Sequence, residues 1–146
     1  MKRFFLILFL LFFNNICIGN FVVKDSNKND NNDYNEGLQA ISQKKWNVAL
    51  NAFKKAEPFM RESADLHNFL GFTYRNLGDL DKSFFHYKKS LYIDPNHVGA
   101  HEYIGEAYLI INNLKKAKFH LSKLKSICGE NCEEYKELLE AINSFK

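Results

Sequence analysis

The sequence predicts an all-α protein, an α-solenoid of about three helix–turn–helix units closed by a C-terminal capping helix. Glycine recurs at intervals of 34 residues, as Gly37, Gly71 and Gly105. A small residue and a large apolar residue recur with the same period later in each unit. These two sets are Ala49, Ser83 and Ala117, and Phe53, Tyr87 and Leu121. A period of this length is typical of solenoids, in which each unit is too small to bury its own apolar face and packs against the next.

The first residues have the order of a secretory signal peptide. Lys2 and Arg3 precede an apolar run over residues 4–13, and Cys17-Ile18-Gly19 places small side chains at both sites that a signal peptidase reads before a cut. A membrane-spanning helix needs about 20 apolar residues, and this run is shorter. We therefore expect cleavage of residues 1–19 and export to the periplasm or the medium. An uncleaved membrane anchor and a lipoprotein modified at Cys17 are the alternatives.

The mature chain is close to electrically neutral. Cleavage after Gly19 removes Lys2 and Arg3 and no acidic residue, so the formal net charge falls from +3 to +1. This charge gives no reason to expect nucleic acid, or a membrane surface after cleavage, as a partner. The next segment, residues 20–33, is polar, rich in asparagine and without apolar periodicity, and it is expected to be a disordered linker.

The repeat domain is expected over residues 34–146, where apolar residues follow the spacing of amphipathic helices. The first unit spans about residues 30–63, and its first helix is expected to be short or frayed. The second unit spans residues 64–97, with a break at Gly78-Asp79 and a stop at Pro95, because proline cannot continue a helix. The third unit, residues 98–131, turns at Asn112-Asn113.

One further amphipathic helix is predicted over residues 133–145. Its apolar face carries Tyr135, Leu138, Leu139 and Ile142. A solenoid needs a terminal helix with a polar outer side to cover its last apolar surface, and this segment suits that role.

The second unit resembles the tetratricopeptide repeat (TPR), whose pattern has Leu-Gly and Tyr in the first helix and a small residue, an aromatic, another small residue and proline in the second. The matching residues are Leu70-Gly71, Tyr74, Ser83, Tyr87, Ser90 and Pro95. The third unit keeps Gly105, Tyr108 and Ala117 but lacks the proline, and the first has Ala40 where tyrosine is usual. The resemblance covers about residues 34–131, and the CxxxC segment that follows it is similar to exported bacterial members of this class.

In this family the first helix of each unit lines a concave groove that binds other proteins. The resemblance therefore implies a protein-interaction module, an adaptor or assembly scaffold that holds a peptide or helix without covalent chemistry. Carried onto this sequence, the groove residues are Leu38, Ile41, Asp65, Asn68, Phe72, Arg75, Asn76, Glu102, Glu106 and Leu109. Phe72 and Arg75 are of the residue types that dominate binding hot spots. Members that clamp a peptide carboxylate use basic and amide side chains where this chain has Tyr34, Leu38, Gly99 and Tyr103, so a clamp of that kind is not expected.

Two cysteines, Cys128 and Cys132, would remain after cleavage at Gly19. An even number of cysteines in an exported chain predicts a disulfide. A thiol–disulfide redox protein is the alternative from another class. It is disfavoured by the CxxxC spacing and by the neighbouring glutamates, since acidic neighbours raise the pKa of a thiol. A third alternative is a structural subunit whose groove is filled by a second copy of the chain, a homo-oligomer.

Histidines also follow the repeat, with His67 and His101 in one position and His86 and His120 in another. A shared register predicts packing positions between helices rather than metal ligands. The chain has no glycine-rich phosphate loop, no nucleophile elbow and no HExxH motif. We therefore expect no cofactor, no metal site and no catalytic residue.

Overall fold

The computed structural model describes the backbone of residues 26–146 and the side chains from residue 32 onward. The predicted signal peptide lies outside the described residues. The regular structure within residues 26–146 is helical, which confirms the predicted all-α solenoid. The helices are α1 (Ser26–Ser42), α2 (Trp46–Ala56), α3 (Ala64–Asn76), α4 (Leu80–Ile93), α5 (Val98–Ile110), α6 (Leu114–Cys128) and α7 (Glu133–Ser144). Among the described residues, no helix has both the length and the apolar character to cross a membrane.

The first helix differs from its prediction. α1 has 17 residues and is the longest helix described, so it is neither short nor frayed at the level of backbone structure. It begins at Ser26, which makes the predicted disordered linker over residues 20–33 wrong for residues 26–33. Once a helix is nucleated by packing, each added residue contributes one hydrogen bond and needs no apolar partner. Low helix propensity in this polar segment therefore does not prevent the backbone from continuing as a helix.

The helices are arranged so that one set lies inside the curve of the solenoid. α1 contacts α3, α3 contacts α5 and α5 contacts α7, while α2, α4 and α6 make no contacts with one another. Each even helix packs on the odd helix before it and on the odd helix after it. The odd helices therefore line the concave side, as expected for helix-pair repeats, and the even helices diverge on the outer side.

The recurring glycines are required by close approach between helices. A Cβ atom added at Gly37 would lie 2.3 Å from Phe53, and one at Gly71 would lie 2.5 Å from Tyr87. Both aromatic side chains are fully buried, so neither can move aside without loss of packing. At Gly105 the nearest side chain is Leu138 of α7, 2.6 Å from such an atom. The capping helix therefore fills the third glycine position, directly over α5.

The turn inside each unit follows the same period. Lys44, Gly78 and Asn112 all have positive φ angles, of 56°, 82° and 57°. The next residue is the N-cap of the second helix, and the side chains of Asp79 and Asn113 accept hydrogen bonds from backbone N–H groups three residues on. Lys45, at the same position of the first unit, cannot accept such a bond.

We expect Lys45→Asp to stabilise the protein by about 1 kcal/mol, because the new carboxylate can accept from the N–H of Val48 and lies at the positive end of the α2 dipole. The free energy of unfolding in urea measures this effect. Lys54→Asp makes the same charge change near the other end of α2, where the side chain is exposed, and it should be neutral or slightly destabilising. Equal effects of the two substitutions would show that net charge, not capping, is responsible.

Candidate partner-binding groove

The predicted groove residues lie on the three odd helices α1, α3 and α5, but they differ in exposure. Asp65 and Asn76 are exposed on α3. Half-buried positions, which present part of a side chain to the groove, are more numerous. They are Leu38, Ile41, Phe72, Arg75 and Glu106.

A row of aromatic side chains crosses from α2 to α5. The ring centroid of Phe72 lies 5.8 Å from that of Trp46 and 4.9 Å from that of Tyr103. All three side chains are half-buried. Trp46 was not predicted as a groove residue because it begins α2, and its contact with Phe72 joins two different units. The row is a rigid apolar surface of the kind that dominates peptide recognition.

Arg75 joins α3 to α5 beneath this row. Its guanidinium lies 5.3 Å from the Phe72 ring centroid and 5.4 Å from that of Tyr103. It also forms an ion pair with Glu106 and donates to the backbone oxygen of Tyr103. Only 13% of the side chain is exposed, so Arg75 mainly positions Phe72 and Tyr103 and has little surface left for direct contact with a partner.

Three predicted groove residues, Asn68, Glu102 and Leu109, are buried in this structure, so they present almost no surface to the groove and their contact with a partner stays a prediction. Leu109 belongs to the core cluster that includes Leu138 of α7. Asn68 lies against the start of α5, where a Cβ atom added at Gly99 would be 3.2 Å from its amide nitrogen. The amide oxygen of Asn68 has no hydrogen-bond partner among the described residues. The groove positions were assigned from the repeat register, which does not show how closely the neighbouring helices cover α5.

Glu102 is the most strongly perturbed acid in the described part of the chain. Burial, hydrogen bonding to Glu137 and repulsion from Glu137, Glu106 and Glu134 raise the pKa of Glu102 to about 9. It is therefore protonated at neutral pH. The carboxylates around it make the α5–α7 end of the groove acidic, while Arg75 on the α3 side is neutralised by Glu106.

The repeated histidines form two hydrogen-bonded pairs that spacing alone did not reveal. The two Nδ1 atoms are 3.1 Å apart in the His67–His86 pair and 2.9 Å apart in the His101–His120 pair. All four side chains are buried between paired helices, at the packing positions that their register predicts. Burial and the neighbouring histidine lower the pKa of both His86 and His120 to about 4.

A wide cleft lies outside the groove. A volume of about 620 Å³ lies on the outer side between α4 and α6, where the even helices diverge. Its walls carry exposed apolar groups such as Phe85 together with Lys88, Lys89 and Lys116.

Cys128 and Cys132 connect the end of α6 to the start of α7. Their sulfur atoms are 2.04 Å apart and their Cα atoms 5.8 Å apart. Cys132 is the N-cap residue of α7, so a bond between the two would hold the capping helix against the third unit. That the pair is oxidised in the native protein stays a prediction, as does export of the chain.

The described helices form a short solenoid of helix pairs in which an aromatic row joins α2, α3 and α5, and this arrangement defines an α-helical repeat fold. Residues 64–97, the second unit, match the family model described as tetratricopeptide repeat. No curated protein shows a significant match to the sequence.

Solved TPR domains have the same fold. The Arabidopsis OM64 TPR domain is similar with a TM-score of 0.73 and 18% identity, covering 81% of this chain and 97% of that one. The TPR2B domain of yeast Sti1, solved in complex with pHsp70, has a TM-score of 0.73 and 17% identity, covering 80% and 94%. The Yersinia enterocolitica type III secretion chaperone SycD, solved with a peptide of the translocator YopD, has a TM-score of 0.68 and 18% identity, covering 79% and 87%. At these identities the likeness establishes the fold alone.

Proposed function

We propose that this chain is an exported, non-catalytic interaction module that binds a peptide or helix of another protein in its concave groove. The observation that carries the proposal is the half-buried aromatic row in which Phe72 and Tyr103, on the inner helices α3 and α5, continue to Trp46 at the start of α2. Two proteins of the same fold support the proposal. The TPR2B domain of yeast Sti1 was solved in complex with pHsp70, and Yersinia SycD was solved with a peptide of the translocator YopD.

The charges of the groove suggest the chemistry of the partner. The α5–α7 end carries Glu134 and Glu137 near the buried Glu102, while Glu106 and Arg75 are paired with each other. We propose a segment that places an apolar side chain on the aromatic row and a lysine or arginine near these carboxylates. A peptide carboxylate is a poor fit, because it would meet acidic groups there without a basic clamp to neutralise it.

Site-specific photo-crosslinking tests the groove in cells that export the chain. A photoreactive amino acid at Asn76, exposed on α3, should capture a partner protein, while the same group at Tyr92, which is 86% exposed on α4, should not. Among the described residues, the Asn76 side chain donates only to the backbone oxygen of Phe72 in its own helix, so its replacement should not unfold the chain. Capture of a partner at Tyr92 but not at Asn76 would show that the binding surface lies on the outer side. Capture of a second copy at Asn76 would favour the structural-subunit alternative.

Export and the disulfide are tested together by intact mass under non-reducing conditions, on protein purified from an exporting host. We expect loss of residues 1–19 and a deficit of two hydrogens for the Cys128–Cys132 bond. Reduction should restore the two hydrogens. Cys128→Ser should remove the deficit and lower the melting temperature. Loss of a reductase activity in this variant is expected only from the redox alternative. An intact N-terminus with free thiols would contradict this part of the proposal and leave the groove proposal to be tested in a reducing compartment.

A further inference from the structure

We propose that Glu57, His67 and His86 form a binding site for a divalent transition-metal ion such as Zn²⁺. The three residues come from the end of α2, from α3 and from α4. One carboxylate oxygen and one ring nitrogen of each histidine all lie within 4.8 Å of one another. Two imidazoles and a carboxylate are a ligand set that zinc accepts in proteins, with water in the fourth position.

The orientation of His67 suits a metal ligand. Its Nε2–H group lies 3.0 Å from the backbone oxygen of Arg61 and can donate to it. With the proton on Nε2, the Nδ1 atom of His67 presents its lone pair toward His86. A hydrogen bond from the second ring nitrogen to a carbonyl is the usual outer support of metal-bound histidine.

The spacing of the two nitrogens is close to that of a metal complex. Zn–N bonds of about 2.0–2.1 Å at a tetrahedral angle place two nitrogens about 3.3 Å apart, compared with 3.1 Å between Nδ1 of His67 and Nδ1 of His86. Binding therefore requires the His86 proton to lie on Nε2 and both rings to turn so that their Nδ1 lone pairs converge on the ion, while the distance between the two nitrogens changes by only a few tenths of an ångström. The ring of His86 is held by Tyr74, whose centroid is 5.4 Å away in a stacked arrangement.

An opening at the surface leads to Glu57. A small pocket of about 220 Å³ is lined by Glu57, Pro58, Arg61 and Lys89, so the carboxylate of the site is reached from the surface. The positive charge of Lys89 acts on both histidines and disfavours a cation. We therefore expect an affinity in the micromolar range rather than the tighter binding of a closed structural zinc site.

The second histidine pair is an internal comparison. His101 and His120 repeat the geometry, with the Nε2 atom of His101 lying 3.0 Å from the backbone oxygen of Pro95. The residue that corresponds to Glu57 is Leu91, and no third ligand group joins this pair among the described residues. Only the first pair should bind the ion well.

Zn²⁺ titration by calorimetry, on chelator-treated protein kept non-reducing so that the cysteines cannot contribute as thiolates, tests the site. We expect one equivalent to bind, with the melting temperature rising as zinc is added. His86→Asn should abolish this binding, and the matched variant His120→Asn should retain it. Glu57→Gln should weaken binding about tenfold or more.

Several results would overturn the proposal. These are no binding by the folded wild type at millimolar zinc, an equal loss in His86→Asn and His120→Asn, or unchanged binding in both His86→Asn and Glu57→Gln. If His86→Asn fails to fold, Glu57→Gln decides, because Glu57 is only half-buried and its neutral amide should leave the packing intact.

Discussion

Leu138→Ala should destabilise the protein by about 3–4 kcal/mol, close to the full range for a leucine in a packed core. Leu138 is fully buried and lies directly against Gly105, where no side-chain atom of α5 can replace it. α7 packs on both α5 and α6. The cavity would therefore open at the end of the solenoid, between the cap and the last repeat.

Leu139→Ala is the matched control for this prediction. The neighbouring leucine has the same size and helix propensity and lies in the same turn of α7, but it is only half-buried. We expect a loss of about 1 kcal/mol from it. Urea unfolding with an unchanged m-value gives both numbers. Equal losses would show that α7 is held by its amphipathic face as a whole and that the contact with Gly105 has no special weight.

The fold could be predicted because its main determinants repeat. A glycine, a small residue and a large residue at intervals of 34 each specify one close helix contact, and Gly37 and Gly71 make the contacts with Phe53 and Tyr87 that this reasoning implies. The start of α1 at Ser26 could not be predicted, because asparagine-rich segments have low helix propensity and the helix extends there only from a nucleus packed elsewhere. Leu138 belongs to α7, outside the repeated units, so the 34-residue period does not predict its contact with Gly105.

The candidate sites were harder to predict than the fold. The groove positions lie on the correct helices, since they follow the same register, but the burial of Glu102 and Leu109 depends on how α7 covers α5. Glu57, His67 and His86 are separated by 10 and 19 residues on three helices, which matches no local metal-binding motif. Only the packing of α2, α3 and α4 brings their ligand atoms together.

Glu102→Gln should stabilise the protein by about 3 kcal/mol at pH 7. The side chain is 4% exposed, and burial together with Glu137 raises its pKa from 4.5 to about 9. Between these two values the native state holds a proton that the unfolded state has lost. Stability therefore falls as pH rises, by about 1.4 kcal/mol per pH unit from this residue. Glutamine keeps the hydrogen-bond donor that the protonated acid provides. Because glutamine does not ionise in the unfolded state, it removes this contribution of residue 102 to unfolding.

The difference in unfolding free energy between Glu102→Gln and the wild type should be near zero at pH 4, grow with pH and level off above pH 9. Taking the difference removes the groups that both proteins share. Among these are the histidine pairs, whose lowered pKa values act in the opposite direction, since the unfolded state binds more protons than the native state below pH 6.5. Glu140→Gln, at an exposed position of α7, should show no such trend. A difference for Glu102→Gln that does not change with pH would mean that Glu102 is ionised in the folded protein, and the acidic end of the groove would then carry one more negative charge toward a basic partner.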